Sequence, residues 1–184
     1  MVSLETPVCD FDNEAIDFSL PDVDGKLWNL QQCCGDKGLL VMFICNHCPY
    51  VKAILERLVR DTAELKTMGI NSVAIMSNDA AQYAEDSPEN MKQIAREFAF
   101  SFPYLSDASQ EIAKQYGAVC TPDFFGYNAE LKLQYRGRLD ASRKETAAED
   151  VKRDLFDAMK QVSNTGKGPA EQIPSMGCSI KWKD

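Results

Sequence analysis

Gly38-Leu39-Leu40-Val41-Met42-Phe43-Ile44 runs without a break into Cys45-Asn46-His47-Cys48-Pro49-Tyr50-Val51. The first stretch carries no charge and has the length of a strand covered on both faces. After it, Val51, Ile54, Leu55, Leu58 and Leu65 recur at helical spacing, with Lys52, Glu56, Arg57, Arg60 and Asp61 expected to face out, until Gly69 stops the pattern. A Cys-x-x-Cys segment thus sits between a buried strand and a helix. That reading puts Cys45 at the helix N-terminus, where free backbone N–H groups and the helix dipole favour an anion. The thiolate is the attacking species in disulfide exchange, and a second thiol two residues on can expel a mixed-disulfide partner. Pro49 suits the first turn, where a missing N–H costs nothing.

Outward from this centre, Phe18 to Trp28 reads as strand, Asp24-Gly25 turn, strand. Ile70 to Met76 is a second buried strand. Ser87 caps a helix that begins at Pro88 and runs towards Phe98. A short strand from Phe102 to Leu105 and a short helix from Ser109 to Tyr116, closed by Gly117, come next. Phe124 to Tyr127 and Leu131 to Arg138 form a hairpin about Asn128-Ala129-Glu130. A last helix is expected from about Ala147 to Val162. The order predicts an α/β fold: a mixed central β-sheet flanked by helices, with an N-terminal β-hairpin. One domain is expected over 1–184, with an N-terminal extension over 1–14 and an irregular tail over 166–184.

Composition narrows the partners. Hydrophobic residues make up 45% and charged residues 26%, as in an ordinary globular chain, and the net charge is −8. Such a surface repels a phosphate backbone and an anionic membrane, so neither nucleic acid nor membrane is expected as a partner. Met1-Val2-Ser3-Leu4-Glu5 lacks the basic start and apolar run of an export signal, and the reading is cytoplasmic. The seven cysteines are Cys9, Cys33, Cys34, Cys45, Cys48, Cys120 and Cys178. An odd count in this setting argues for free thiols rather than a disulfide framework, the adjacent Cys33 and Cys34 included.

A Cys-x-x-Cys alone could be half of a zinc site, but the chain offers no second pair, so no metal and no cofactor is expected. His47, the single histidine, lies between the two cysteines and would favour the thiolate if its ring N–H reached sulfur. With Asn46 and Pro49 it makes the supporting set. Thr121-Pro122 follows a helix stop and precedes a buried strand; bare X-Pro statistics expect it trans. Cys120 beside it and Cys178 in the tail are possible additional redox thiols. Arg136, Arg138 and Arg143 read as a solvated edge.

Cys45-Asn46-His47-Cys48-Pro49-Tyr50-Val51, Val119-Cys120-Thr121-Pro122-Asp123-Phe124-Phe125, Phe102-Pro103-Tyr104-Leu105 and Gly177-Cys178-Ser179-Ile180-Lys181-Trp182 resemble the thioredoxin-like, peroxiredoxin-related redoxins of the alkyl hydroperoxide reductase and thiol-specific antioxidant superfamily. The resemblance runs from about Ala15 to the C-terminus. It implies a thioredoxin-like fold, Cys45 as the attacking and more accessible thiol, and Cys48 as the resolving one. It also implies a cis Thr121-Pro122 peptide that offers backbone groups to a bound substrate. The implied activity is thiol-disulfide exchange with protein or small-molecule disulfides, fed by an upstream thiol reductant. The alternative is a peroxidase with Cys48 as peroxidatic and Cys45 as resolving cysteine. Against it, the peroxiredoxin proline and threonine fall on Val41 and Cys45, and the arginine falls near Thr121. Without a charge between Leu39 and Ile44, no buried acid is assigned beneath Cys48.

Overall fold

A computed structural model describes residues 2–183. The central sheet is built on β4 (Gly38–Phe43), every residue of which is buried. Its alternate side chains serve two cores. Leu40 and Met42 pack with Leu58, Leu65, Leu155 and Met159 on one face. Leu39, Val41 and Phe43 pack with Phe18, Val73, Ile75 and Phe125 on the other. This two-sided burial is why the strand reads as a continuous apolar run, and truncating one of these side chains should cost about 2–5 kcal/mol.

On one side β4 pairs antiparallel with β8 (Asp123–Asn128), Val41 opposite Phe125, and β8 pairs with β9 (Leu133–Tyr135). On the other side lies β5 (Ile70–Met76), where Ile44 N–H donates to the Ile75 carbonyl at 3.2 Å, and β5 pairs parallel with β6 (Tyr104–Ser106). The sheet is therefore mixed. The expected N-terminal hairpin is β2 (Ser19–Pro21) with β3 (Leu27–Asn29). Asp22 ties its turn by accepting from Asp24 N–H, Lys26 N–H and Trp28 Nε1, and Gly25 takes φ +83°, which suits a residue without a Cβ. Helix α1 (Leu30–Cys33) follows directly.

Several expectations need correction. The helix after Cys48 is two: α2 (Pro49–Lys52) and α3 (Leu55–Thr67). The Ala53 carbonyl accepts from the side chains of Arg57 and Thr146, at 3.2 and 3.1 Å, and the ladder breaks there. Asp61, expected on the outer face, is buried and held by Arg153 at 2.6 Å and Arg60 at 2.8 Å. Arg136, expected on a solvated edge, is buried against Asp123 at 3.0 Å and donates to the Gly117 carbonyl.

Ser87 caps α4 (Pro88–Glu97), as its sequence signals, by accepting from Asn90 N–H. Helix α5 (Glu111–Tyr116) closes on Gly117 at φ +65°, and α6 (Asp154–Thr165) begins later than expected. The tail is not irregular throughout. Met176–Ser179 forms β10, inserted between β1 (Ser3–Glu5) and β7 (Cys120–Thr121) with Cys178 opposite both Ser3 and Thr121. Among the described residues, no helix is long and apolar enough to cross a membrane.

Candidate active site

The loop from Ile44 to Cys48 joins β4 to α2 and places both thiols inside the protein. Cys48, not Cys45, is the N-cap of α2. Cys45 is 1% exposed and Cys48 0%, so neither is the accessible thiol that was expected. All seven cysteines are free.

The peptide Thr121-Pro122 is cis, as the resemblance implied and bare statistics did not. Thr121 bridges the pair. Its hydroxyl lies 3.3 Å from Cys45 Sγ, and its carbonyl accepts from Cys48 Sγ at 3.1 Å. Cys178 lies on the neighbouring strand, directly opposite Thr121. Cys120 is buried on the same short strand, but its thiol donates to the Pro122 carbonyl at 3.7 Å, and burial pushes its pKa up.

These contacts fix which sulfur ionises. The hydrogen bond that Cys45 donates favours a thiolate on Cys48, helped by the Thr121 hydroxyl and by Cys178. Together they outweigh burial and bring Cys48 down to about 5. The Thr121 carbonyl pulls the other way by favouring a protonated Cys48, but the donors outnumber it. Cys45 is raised well above the ordinary thiol value because it gives its proton to the Cys48 bond, because it is buried, and because the Asp86 carboxylate is near. The two thiols titrate as one coupled pair, and the hydrogen bonds favour the charge on Cys48. The sequence reading had assigned the low pKa to Cys45.

Sequence reasoning missed Asp86. It ends a single helical turn, Ala84–Asp86, and is fully buried. One carboxylate oxygen accepts from the backbone N–H of Asn46 at 2.7 Å and of His47 at 3.3 Å. The other accepts from His47 Nδ1 at 2.6 Å and Asn78 Nδ2 at 2.9 Å. Burial pushes the Asp86 pKa up, but hydrogen bonds from His47, Asn78 and Asn46 prevail and hold it below the usual carboxylate value. Asn46 is clamped further, donating to the Glu85 carbonyl at 2.9 Å and accepting from Tyr104 Oη at 3.0 Å. The one available signal was an acid immediately before the Ser87-Pro88 helix start, and helix rules read it only as a loop residue.

His47 therefore points its Nδ1 at Asp86 rather than at sulfur. Its ring stacks on Tyr83 at 5.0 Å, and its Nε2 is buried without a partner. Cys45, His47 and Asp86 present metal-ligating atoms within 4.8 Å of one another. Both Asp86 oxygens already accept two hydrogen bonds each, which leaves His47 Nε2 as the free donor atom of that group. Pro49 occupies the first position of α2, as its fixed φ suits.

The AhpC/TSA family model matches residues 11–139, more than half of the chain. The chain belongs to the AhpC/TSA family. Over 109 residues it is 28% identical to Peroxiredoxin Bcp of Escherichia coli, a match that spans 59% of this chain and 65% of that protein's length. A solved structure of an uncharacterized conserved protein from Geobacillus kaustophilus is 44% identical, with a TM-score of 0.93 over 100% of this chain and 97% of that one. A hypothetical protein from Sinorhizobium meliloti 1021 is 40% identical, with a TM-score of 0.89 over 98% and 97%. A secreted disulfide oxidoreductase of Mycobacterium tuberculosis, 16% identical, superposes with a TM-score of 0.60 over 79% and 95%. That likeness shows the thioredoxin-like fold alone.

Proposed function

We propose that the chain is a thiol-disulfide oxidoreductase whose Cys45 and Cys48 cycle between dithiol and disulfide, exchanging with a disulfide-bearing substrate and regenerated by a thiol reductant. The observation that carries this reading is Thr121, which touches both sulfurs at once: its hydroxyl lies on Cys45 and its carbonyl on Cys48. A single residue so placed can hold the two sulfurs together for exchange. The thiolate on Cys48 supplies the nucleophile within the pair, and the Cys45 thiol supplies the proton for a departing sulfur.

A second reading, peroxide reduction at Cys48, is favoured by the lowered Cys48 pKa and by the similarity to Peroxiredoxin Bcp. It lacks a cationic donor for the departing oxygen. Among the described residues no arginine bonds to Cys48, and Arg136 is engaged by Asp123 and the Gly117 carbonyl. The test is insulin disulfide reduction measured beside hydrogen peroxide consumption, for the wild type, Cys45→Ser and Cys48→Ser. Disulfide reduction lost in both variants, with slow peroxide turnover throughout, supports exchange. Fast peroxide turnover abolished only by Cys48→Ser, with negligible disulfide reduction, reverses the order.

A further inference from the structure

The surface that a thioredoxin-like protein offers to a substrate peptide, the backbone just before the cis proline, is already occupied in this chain. Strand β10 lies antiparallel on β7, with Cys178 opposite Thr121 and Ser179 opposite Cys120. The approach is close enough to require Gly177. A Cβ there would fall 2.0 Å from the Thr121 carbonyl oxygen and 2.9 Å from Pro122 N, a backbone clash that no rotamer relieves. The strand is tied at both ends. Before it, Ser175 Oγ donates to the Pro122 carbonyl at 2.8 Å. After it, Lys181 N–H donates to Asn78 Oδ1 at 2.9 Å. A thiol is thereby delivered to the redox pair. Cys178 is 2% exposed, belongs to the same packed cluster as Cys45 and Cys48, and stands opposite Thr121, the residue that bonds to both of their sulfurs.

We propose that Cys178 is a third redox thiol, carried on a strand that takes the place of a substrate peptide, and that it exchanges with the Cys45–Cys48 disulfide through Cys48. This inference rests on the dithiol reading above. The Cys178 sulfur attacks the Cys48 sulfur of the Cys45–Cys48 disulfide. The Cys178–Cys48 bond forms as the Cys45–Cys48 bond breaks, and the proton of Cys178 passes to Cys45. One disulfide is exchanged for another, so no external oxidant or reductant enters the step. In the reduced protein Cys178 is held protonated, pushed up to about 12 by burial and by its bond to Cys48. Once Cys48 is oxidised it carries no negative charge, and that second restraint is gone. An oxidised centre that can pass its disulfide to the tail would leave Cys45 free as a thiol.

The experiment is disulfide mapping of the full chain. Wild type, Cys45→Ser and Cys178→Ser are equilibrated with oxidised glutathione and a trace of reduced glutathione. They are then quenched in acid, alkylated, digested and read by mass spectrometry. A neighbouring thiol acts at an effective concentration of about 1 mM or more, so against about 10 µM reduced glutathione the internal link should exceed the glutathione adduct by roughly 100-fold. The expected results are a Cys48–Cys178 link in Cys45→Ser, a Cys45–Cys48 link in Cys178→Ser, and both in the wild type. A stable Cys48–glutathione adduct in Cys45→Ser, with Cys178 alkylated, overturns the inference while a Cys45–Cys48 link in Cys178→Ser leaves the dithiol reading standing. No protein disulfide in wild type or Cys178→Ser sinks the dithiol reading, and the inference with it. Should Cys45→Ser fail to fold, the wild-type map decides: no Cys48–Cys178 link at any glutathione ratio overturns the inference.

Discussion

Replacing Asp86 with asparagine tests whether a buried carboxylate holds the Cys45–Cys48 loop. The aspartate accepts four hydrogen bonds, two per oxygen, from Asn46 N, His47 N, His47 Nδ1 and Asn78 Nδ2. Asparagine keeps the shape but puts an NH₂ where one oxygen stood, facing two of those donors. His47 can answer by changing tautomer. Asn78 cannot simply flip, because its own oxygen accepts from Lys181 N–H. At least one buried donor is left unmatched, at about 1–3 kcal/mol, and the remaining bonds lose the extra strength of a charged acceptor. The total expected loss is about 2–4 kcal/mol at pH 7, large against the roughly 5–15 kcal/mol of a typical domain. The pH dependence has a definite sign. The folded pKa of Asp86 lies below its ordinary value of 3.8, so its contribution is fully present above that value and is lost as pH falls through the folded pKa. Urea unfolding of wild type and Asp86→Asn from neutral to strongly acid pH should therefore show a gap that is constant near neutrality and closes below 3.8. Two variants within about 0.5 kcal/mol of each other at pH 7 would refute the assigned role, that being the scatter of ordinary surface substitutions.

Three other outcomes are expected. Ultraviolet thiolate absorbance of the reduced protein should titrate with a midpoint at about 5 that disappears in Cys48→Ser and rises in Cys45→Ala, since the donor that lowers it is gone; a midpoint that survives Cys48→Ser would assign the thiolate elsewhere. Arg136→Met should cost about 3–5 kcal/mol at pH 7 by leaving Asp123 charged and alone in the core. Burial already raises the folded pKa of Asp123, so the cost should shrink on acidification as the carboxyl takes up a proton, and a pH-independent loss in chemical denaturation would argue against it. Leu40→Ala should destabilise by about 2–5 kcal/mol with thiolate absorbance unchanged, because Leu40 sits inside the sheet on the α3 and α6 side, and thermal unfolding beside the titration separates the two readouts.

What the sequence made legible follows from how local each signal is. The uncharged run over β4 announces a central strand because both faces are covered, and Gly117 and Ser87 mark their helix ends through their own backbone and side chain. The break between α2 and α3 was hidden because one of the two side chains on the Ala53 carbonyl, Thr146, comes from 93 residues away. Asp61 and Arg136 look like surface charges until partners far along the chain bury them. The site divides the same way. Cys45, Cys48 and Thr121-Pro122 were recognisable as motifs, whereas the choice of Cys48 as thiolate depends first on which of the two thiols donates to the other and then on Thr121 and Cys178, and the loop's shape depends on Asp86. Spacing within the motif carries neither.

The polar groups around the pair form one connected frame rather than two independent ones. Asn78 donates to Asp86, which grips the Cys45–Cys48 loop, and accepts from Lys181, which follows the strand carrying Cys178. Asp79 N–H and Gln110 Nε2 close the same junction on the Lys181 carbonyl, at 2.9 and 2.8 Å. Because each of these groups is buried or half-buried, releasing the tail would strand hydrogen-bonding atoms at Asn78 and, through it, at Asp86. Both sulfurs of the pair are buried, Cys45 at 1% and Cys48 at 0% exposure. The loop that carries the pair and the strand that carries Cys178 are thus coupled through Asn78 and also through Thr121, which bonds to both sulfurs and stands opposite Cys178.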